Sequence, residues 1–159
     1  MESIPFIFLA LVGIPLLGFI VSTVLILSAK KELELEENQP IQPLERQNRT
    51  AKLLILLSVG GTKVIYGFVQ GFLLLLHSGA LSGVKDAIAT LNINLTLYCA
   101  VCAVSNLITV LADGVLAAGS IKNGALTVPE AFSRSVLKVM LPEIIAILGL
   151  LYAMLTIMH

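Results

Sequence analysis

The sequence predicts an all-α membrane protein of four transmembrane helices, laid out as two tandem helical hairpins. Three observations lead there. First, 57 % of the 159 residues are hydrophobic and only 13 % are charged, against about 25 % charged in an ordinary soluble domain. Such a chain lacks the polar surface to cover a core in water. Second, the apolar residues gather into four runs, each longer than the roughly 20 residues that cross a hydrocarbon core as a helix. Third, the runs lack the alternation of barrel strands, and lipid admits only helices and closed barrels.

The first run covers residues 4–28. It is longer than the core of a signal peptide, follows Glu2 rather than a basic leader, and is not followed by a small-residue cleavage site, so it reads as a spanning helix. The others cover residues 51–77, 89–118 and 132–158. The loops between them differ in charge. Residues 29–50 carry Lys30, Lys31, Arg46 and Arg49, with Lys52 just beyond; residues 78–88 carry Lys85; residues 119–131 and their flanks carry Lys122, Arg134 and Lys138. The positive-inside rule then places loops 29–50 and 119–131 in the cytoplasm and both termini outside, with the cell membrane the expected location. Acids weigh little in that rule, so the acidic run at residues 32–37 reads as a solvated helical extension or a docking surface.

The halves 1–80 and 81–159 read as a duplication, with one hairpin in each. Gly60-Gly61-Thr62-Lys63-Val64-Ile65-Tyr66-Gly67-Phe68 aligns with Pro142-Glu143-Ile144-Ile145-Ala146-Ile147-Leu148-Gly149-Leu150. Gly67 falls on Gly149, apolar follows apolar, and Gly61 stands where the second half has Glu143. Small residues mark the close helix contacts: Gly13, Gly18 and Ser22 in the first helix, and Ser105, Ala112, Gly114, Ala117, Ala118 and Gly119 in the third. Helices one and three are expected to form a crowded inner surface, and the bulkier helices two and four to face lipid.

Composition also excludes function classes. Lys plus Arg equals Asp plus Glu, and Trp is absent, so there is neither a basic field nor a stacking platform for nucleic acid. Cys99 and Cys102 form a C-x-x-C, but they lie inside an apolar helix without the further Cys or His of a zinc set, and read as packing residues. No nucleophile elbow, phosphate loop or metal cluster is present. No cofactor and no enzymatic activity of the chain by itself is expected.

The polar residues inside helices carry the chemistry. Glu143 lies midway along the fourth run, where a charge costs about 2.5–3.5 kcal/mol on insertion scales. Intramembrane acids default to ion or proton pathways, and a carboxyl that loads and unloads a proton suits transport; the bland alternative is a structural hydrogen-bonding acid. Lys63 sits at similar depth in the second run. It either pairs with Glu143, or snorkels or faces a neighbouring subunit. Thr62 and Tyr66 lie one turn apart, so their hydroxyls share a face and offer ligands to a carboxylate or cation, or merely bond and pack locally. Asp113, in the third run, either lines a water-filled route or marks where that helix leaves the bilayer. His77 is expected at the interface, and the sequons at Asn48 and Asn94 are discounted on position.

These residues resemble a known family. The segment from Gly61 to Val69 is similar to the first-hairpin signature of the duplicated proteolipid (the K or c subunit) of V-type rotary ATPases. Pro129-Glu130-Ala131-Phe132 followed by Pro142-Glu143 and the apolar run to Gly149 is similar to its second hairpin, including the spacing from Pro129 to Glu143. The resemblance covers helices two and four well, helix three loosely and helix one hardly at all. It implies a membrane rotor ring of identical subunits, in which Glu143 takes up a proton or sodium ion, crosses lipid neutralised, and releases it opposite a stator arginine. The central stalk would meet the cytoplasmic loops. Thr62 matches a hydroxyl ligand of sodium-binding members, Tyr66 a tyrosine that bonds the carrier, and the backbone carbonyl of Val59 completes the candidate ion site. Sodium-binding members have Gln at the place of Lys63 and another near Ala112, so this chain is expected to favour protons. The first helix also lacks the family's dense glycine ladder. A self-contained small transporter or channel, and a structural tetraspan protein, are the alternatives.

Overall fold

A computed structural model describes residues 3–36, 42–79, 81 and 94–158, and 91 % of them are helical, with no strand. The helices are α1 (Ser3–Glu36), α2 (Pro43–His77), α3 (Leu95–Lys122), α4 (Pro129–Met140) and α5 (Glu143–Met158). Together α4 and α5 form the fourth span. Four stretches, Phe6–Leu35, Pro43–His77, Leu95–Lys122 and Pro129–Ile157, are long and apolar enough to cross a membrane. Glu2, Glu37, Lys85 and residues 89–93 of the expected third helix lie outside the described residues.

The helices outrun their apolar stretches. Helix α1 continues to Glu36 and α2 begins at Pro43, so most of the expected loop 29–50 is helical. Good helix formers and pairs one turn apart explain it: Lys30 with Glu34 at 3.4 Å, and Arg49 with Glu45 at 2.5 Å, with Pro43 pre-set at the first turn. Hydropathy marks where a helix leaves apolar surroundings, not where it stops. At the start of α3, the Asn94 side chain accepts a hydrogen bond from Leu97 N–H at 3.0 Å, an N-cap. After α3 the chain reverses through Gly124, whose φ of +83° is open to glycine.

The fourth span departs from the single continuous helix expected over residues 132–158. It breaks at Leu141 and Pro142, and α5 opens on Glu143. Pro142 has no N–H to donate one turn back, and its ring crowds the carbonyl there. Around it the bonding tightens to three-residue spacing: Leu141 N–H to Lys138 O and Ile144 N–H to Leu141 O, both at 3.3 Å.

Helices α1 and α3 run the same way, since Gly18 and Ser22 lie against residues 107–114, while Glu32 pairs with Lys122 at 2.6 Å. Helix α2 and the fourth span run together in the opposite direction. The α1–α3 seam is as close as the small residues imply. A Cβ on Gly114 would meet Ser22 Cα at 2.7 Å, and one on Gly18 would meet Val110 Cγ1 at 2.5 Å. Ser22 Oγ donates to Val110 O at 2.6 Å across it. Gly13 and Gly119, by contrast, have nothing near. Gly67, outside the expected seam, is used as well. Pro15 leaves Leu11 O without its helical donor, and Gly67 of α2 fits against that carbonyl, where a Cβ would lie 2.2 Å from the oxygen.

Two apolar clusters hold the helices. One joins Ile26, Ala29, Leu53, Leu56, Ala117, Ile121, Leu126 and Val139. The other joins Leu11, Leu74, Tyr98, Cys102, Ala103, Ala153 and Ile157. Ser22, Lys63, Gln70, Asn106, Thr109 and Asp113 are buried between them. Large apolar side chains such as Leu17, Ile65, Val115 and Leu148 are exposed on the outside of all four spans, as lipid requires and water would penalise.

Candidate functional site

Glu143 stands fourteen residues beyond Pro129 and fourteen before Ile157, about 21 Å from either end of its span at 1.5 Å per residue. The break at Pro142 makes it the first residue of α5. The first N–H groups of α5 bond back to Leu141 O and Pro142 O, so the Glu143 carboxylate is held by side chains alone. Its side chain is 16 % exposed; it is a partly open edge of the bundle rather than a sealed core.

Helix α2 supplies its partners. Lys63 Nζ donates to Glu143 Oε2 in a short contact, and the Tyr66 hydroxyl donates to Oε1 at 2.6 Å. Thr62 Oγ1 is 3.2 Å from the same Oε1, but its single proton has a better acceptor in Val59 O at 2.7 Å. The threonine bonds its own helix, and its lone pairs are left toward the carboxylate. Lys63 Nζ also donates to Val59 O at 3.0 Å. All four candidates on α2 thus meet Glu143 directly or share an atom with a group that does. Lys63 pairs inward and does not snorkel.

Asp113 is the largest departure from expectation. It does not mark the end of a span, because α3 continues to Lys122 and Asp113 is only 1 % exposed. Its Oδ2 lies 2.8 Å from Lys63 Nζ, an ion contact off the hydrogen-bonding direction. Its Oδ1 has no hydrogen-bond partner among the described residues. Lys63 is fully buried between two carboxylates from two different helices. Removing Lys63 would strand the two carboxylates without their counter-ion, and breaking a buried pair in this way costs about 3–5 kcal/mol.

Sequence reasoning missed a second polar group, one to two turns further along α2. Gln70 and Asn106 are fully buried and bonded, Asn106 Nδ2 donating to Gln70 Oε1 at 2.7 Å, while the Tyr98 hydroxyl donates to Gln70 O at 2.8 Å. Gln70 Nε2 and Asn106 Oδ1 have no partner among the described residues. Gln70 and Asn106 are amides inside apolar runs, and that was the signal available. Lys52, counted as a loop-flanking charge, is buried too. It donates to Leu126 O at 3.0 Å and lies 5.6 Å from the Phe132 ring centre, tying α2 to the turn before α4.

The remaining candidates are structural. Cys99 and Cys102 are free thiols, Cys102 packed in the second apolar cluster. His77 closes α2 at an exposed position. No group of three or more potential metal ligands of the His, Cys, Asp or Glu type occurs among the described residues. No protein-family model and no curated protein matches the chain.

Proposed function

We propose that the chain is an ion-translocating proteolipid of a membrane rotor ring, of the type found in V-type ATPases, with Glu143 as its carrier. One observation carries the reading: a partly exposed carboxylate at the midpoint of a span, at a helix break, gripped by side chains from the neighbouring helix. A carrier of this kind must reach the outside of the bundle yet be held in lipid, and an acid 16 % exposed with Lys63 and Tyr66 on its two oxygens meets both needs. The parallel course of α1 with α3, and of α2 with the fourth span, agrees with two hairpins of one orientation. Gly67 and Gly149, aligned by the repeat, both sit where a methyl group would strike the other helix of their own hairpin. In the assembly, the Lys- and Arg-bearing loops face the cytoplasm and both termini face out. Identical subunits pack through α1 and α3, where Gly13 and Gly119 are uncovered, and a stator arginine meets Glu143.

The test has two arms on the detergent-solubilised protein: native mass spectrometry, and modification by a hydrophobic carbodiimide, which attacks protonated acids. A closed ring of several copies, labelled at Glu143 and unlabelled in Glu143→Gln, is expected. A monomer or dimer labelled at Glu143 would favour a self-contained transporter. No labelling at any pH would favour a structural tetraspan, a reading that the closed Lys63–Asp113–Glu143 cluster supports.

A further inference from the structure

Oxygens from three helices converge on one nitrogen. Val59 O on α2 lies 3.0 Å from Lys63 Nζ, Asp113 Oδ2 on α3 lies 2.8 Å from it, and Glu143 Oε2 on α5 is in short contact. Thr62 Oγ1 and the Tyr66 hydroxyl stand just behind, on the far oxygen of Glu143. Carboxylate, carbonyl and hydroxyl oxygens gathered around a point are what a hard cation takes. Here that point is an ammonium group on the chain's own side chain, fully buried.

The charge count follows from the same residues. Two carboxylates and one ammonium leave one negative charge. Among the described residues, nothing else at this level cancels it. Tyr66 is a neutral phenol, α1 has no titratable side chain between Phe6 and Ala29, and Lys138, the nearest charge along α4, is exposed. A net charge buried in lipid is costly, and one proton on either carboxyl removes it. Thr62 is prepared to hold that proton. Having given its own to Val59 O, it presents lone pairs 3.2 Å from Glu143 Oε1, an acceptor for the O–H of the protonated acid. A second cation would neutralise the site only by sitting against the ammonium.

We propose that Lys63 is the resident cation of this site: its ammonium fills the place a metal ion would take, and Glu143 and Asp113 together exchange a single proton with the outside. The inference rests on the reading of Glu143 as a carrier and makes its cargo a proton. Lys63 and Asp113 act as specificity-determining residues. Lysine excludes the metal, and aspartate restores the charge that lets a proton bind.

Carbodiimide modification of Glu143, read by peptide mass spectrometry with and without sodium chloride at constant ionic strength, tests it. In the wild type, labelling is expected to fall as pH rises and to ignore sodium. In Lys63→Gln, sodium is expected to suppress labelling about tenfold, the change that ~1.4 kcal/mol of binding makes. In Asp113→Asn, which keeps shape and size, one ammonium opposes one carboxylate, and labelling is expected to drop about tenfold at the same pH, again ~1.4 kcal/mol. Sodium protection of the wild type would overturn this inference and leave Glu143 a carrier, whereas absence of wild-type labelling at every pH would overturn both. Asp113→Asn labelling like the wild type would remove Asp113 from the count and overturn the shared-proton site. The wild-type and Asp113→Asn arms stand even where Lys63→Gln fails to fold, and a folded Lys63→Gln insensitive to sodium would overturn the claim that lysine fills the metal's place.

Discussion

Adding one methyl group at Gly67 tests the packing that sets the distance between α1 and α2. A Cβ there would lie 2.2 Å from Leu11 O and 3.2 Å from both Leu11 C and Pro15 Cγ. An ordinary contact between carbon and carbonyl oxygen is about 3.3–3.6 Å, so the helices must part by about 1 Å. The obstacle is backbone, and no rotamer relieves it. Parting also loosens the neighbouring contact of Gly71 with Phe8, where a Cβ would lie 2.6 Å from the ring, and the Leu11–Leu74 cluster. Overpacking costs about 1–3 kcal/mol. With the loosened seam added, Gly67→Ala is expected at the top of that range, a loss of about 6–12 °C in Tm at ~2–4 °C per kcal/mol.

Gly149 tests the equivalent place in the second hairpin with a softer obstacle. Its Cβ would meet Ser105 Oγ at 2.4 Å, and Ser105 can turn away at the cost of its 3.0 Å bond to Cys102 O, about 1 kcal/mol. At Gly61 the nearest atom is a Phe19 ring carbon at 3.8 Å, and alanine gains about 1 kcal/mol of helix propensity. The expected order of Tm is Gly61→Ala, then Gly149→Ala, then Gly67→Ala. Heating in detergent with a thiol-reactive fluorophore reads it, because Cys102 is fully buried until the bundle opens, and Cys99→Ser removes the more accessible thiol. Gly67→Ala melting together with Gly61→Ala would refute the packing argument.

Three further predictions follow from single contacts. Tyr66→Phe removes the 2.6 Å bond to Glu143 Oε1; hydrogen bonds to charged groups are worth about 1.5–3 kcal/mol, so carbodiimide labelling of Glu143 at fixed pH is expected to rise at least about tenfold. Lys52→Met keeps the apolar stem but loses the bond to Leu126 O and the Phe132 face, lowering Tm by about 2–4 °C for ~1 kcal/mol, whereas Lys122→Ala, which breaks an exposed pair with Glu32, costs under about 1 kcal/mol. Pro142→Ala lets α4 and α5 join, removing a break worth about 3 kcal/mol; Tm is expected to rise, and labelling of Glu143 to rise with it as the acid is displaced from Lys63 and Tyr66, and unchanged labelling would mean the break does not position the acid.

The spans were legible because lipid imposes a length and a hydropathy that few other structures need. Gly18, Ser22 and Gly114 were legible as a seam because closeness demands small residues. Gly67 was visible only as a repeat position; that it seats the carbonyl freed by Pro15 depends on where two helices meet. Helix ends were less legible, because residues 29–36 and 43–50 are polar yet helical, held by pairs one turn apart. At the site, Glu143, Lys63, Thr62 and Tyr66 stood out as polar groups in apolar runs, three of them on one helix. Of the two readings open for Asp113, the end of a span falls for a physical reason. Its distance along α3 placed it near an end only while that end was set by hydropathy at residue 118, and the helix runs to Lys122.

The break at Pro142 sets where Glu143 stands along the fourth span. The helix restarts at Glu143, and the first N–H groups of α5 bond back to Leu141 O and Pro142 O, so the carboxylate is stabilised by the side chains that α2 presents to it. The two apolar clusters lie on either side of this level, and Glu143, 16 % exposed, is the member of the ion cluster that reaches the outside. On the proposed reading, a proton arriving by that edge meets first the carboxyl that Tyr66 and Thr62 address, and only beyond it the ammonium and Asp113. In the proposed exchange the proton enters at the rim and is shared by the two carboxyls, and Lys63 between them need not move.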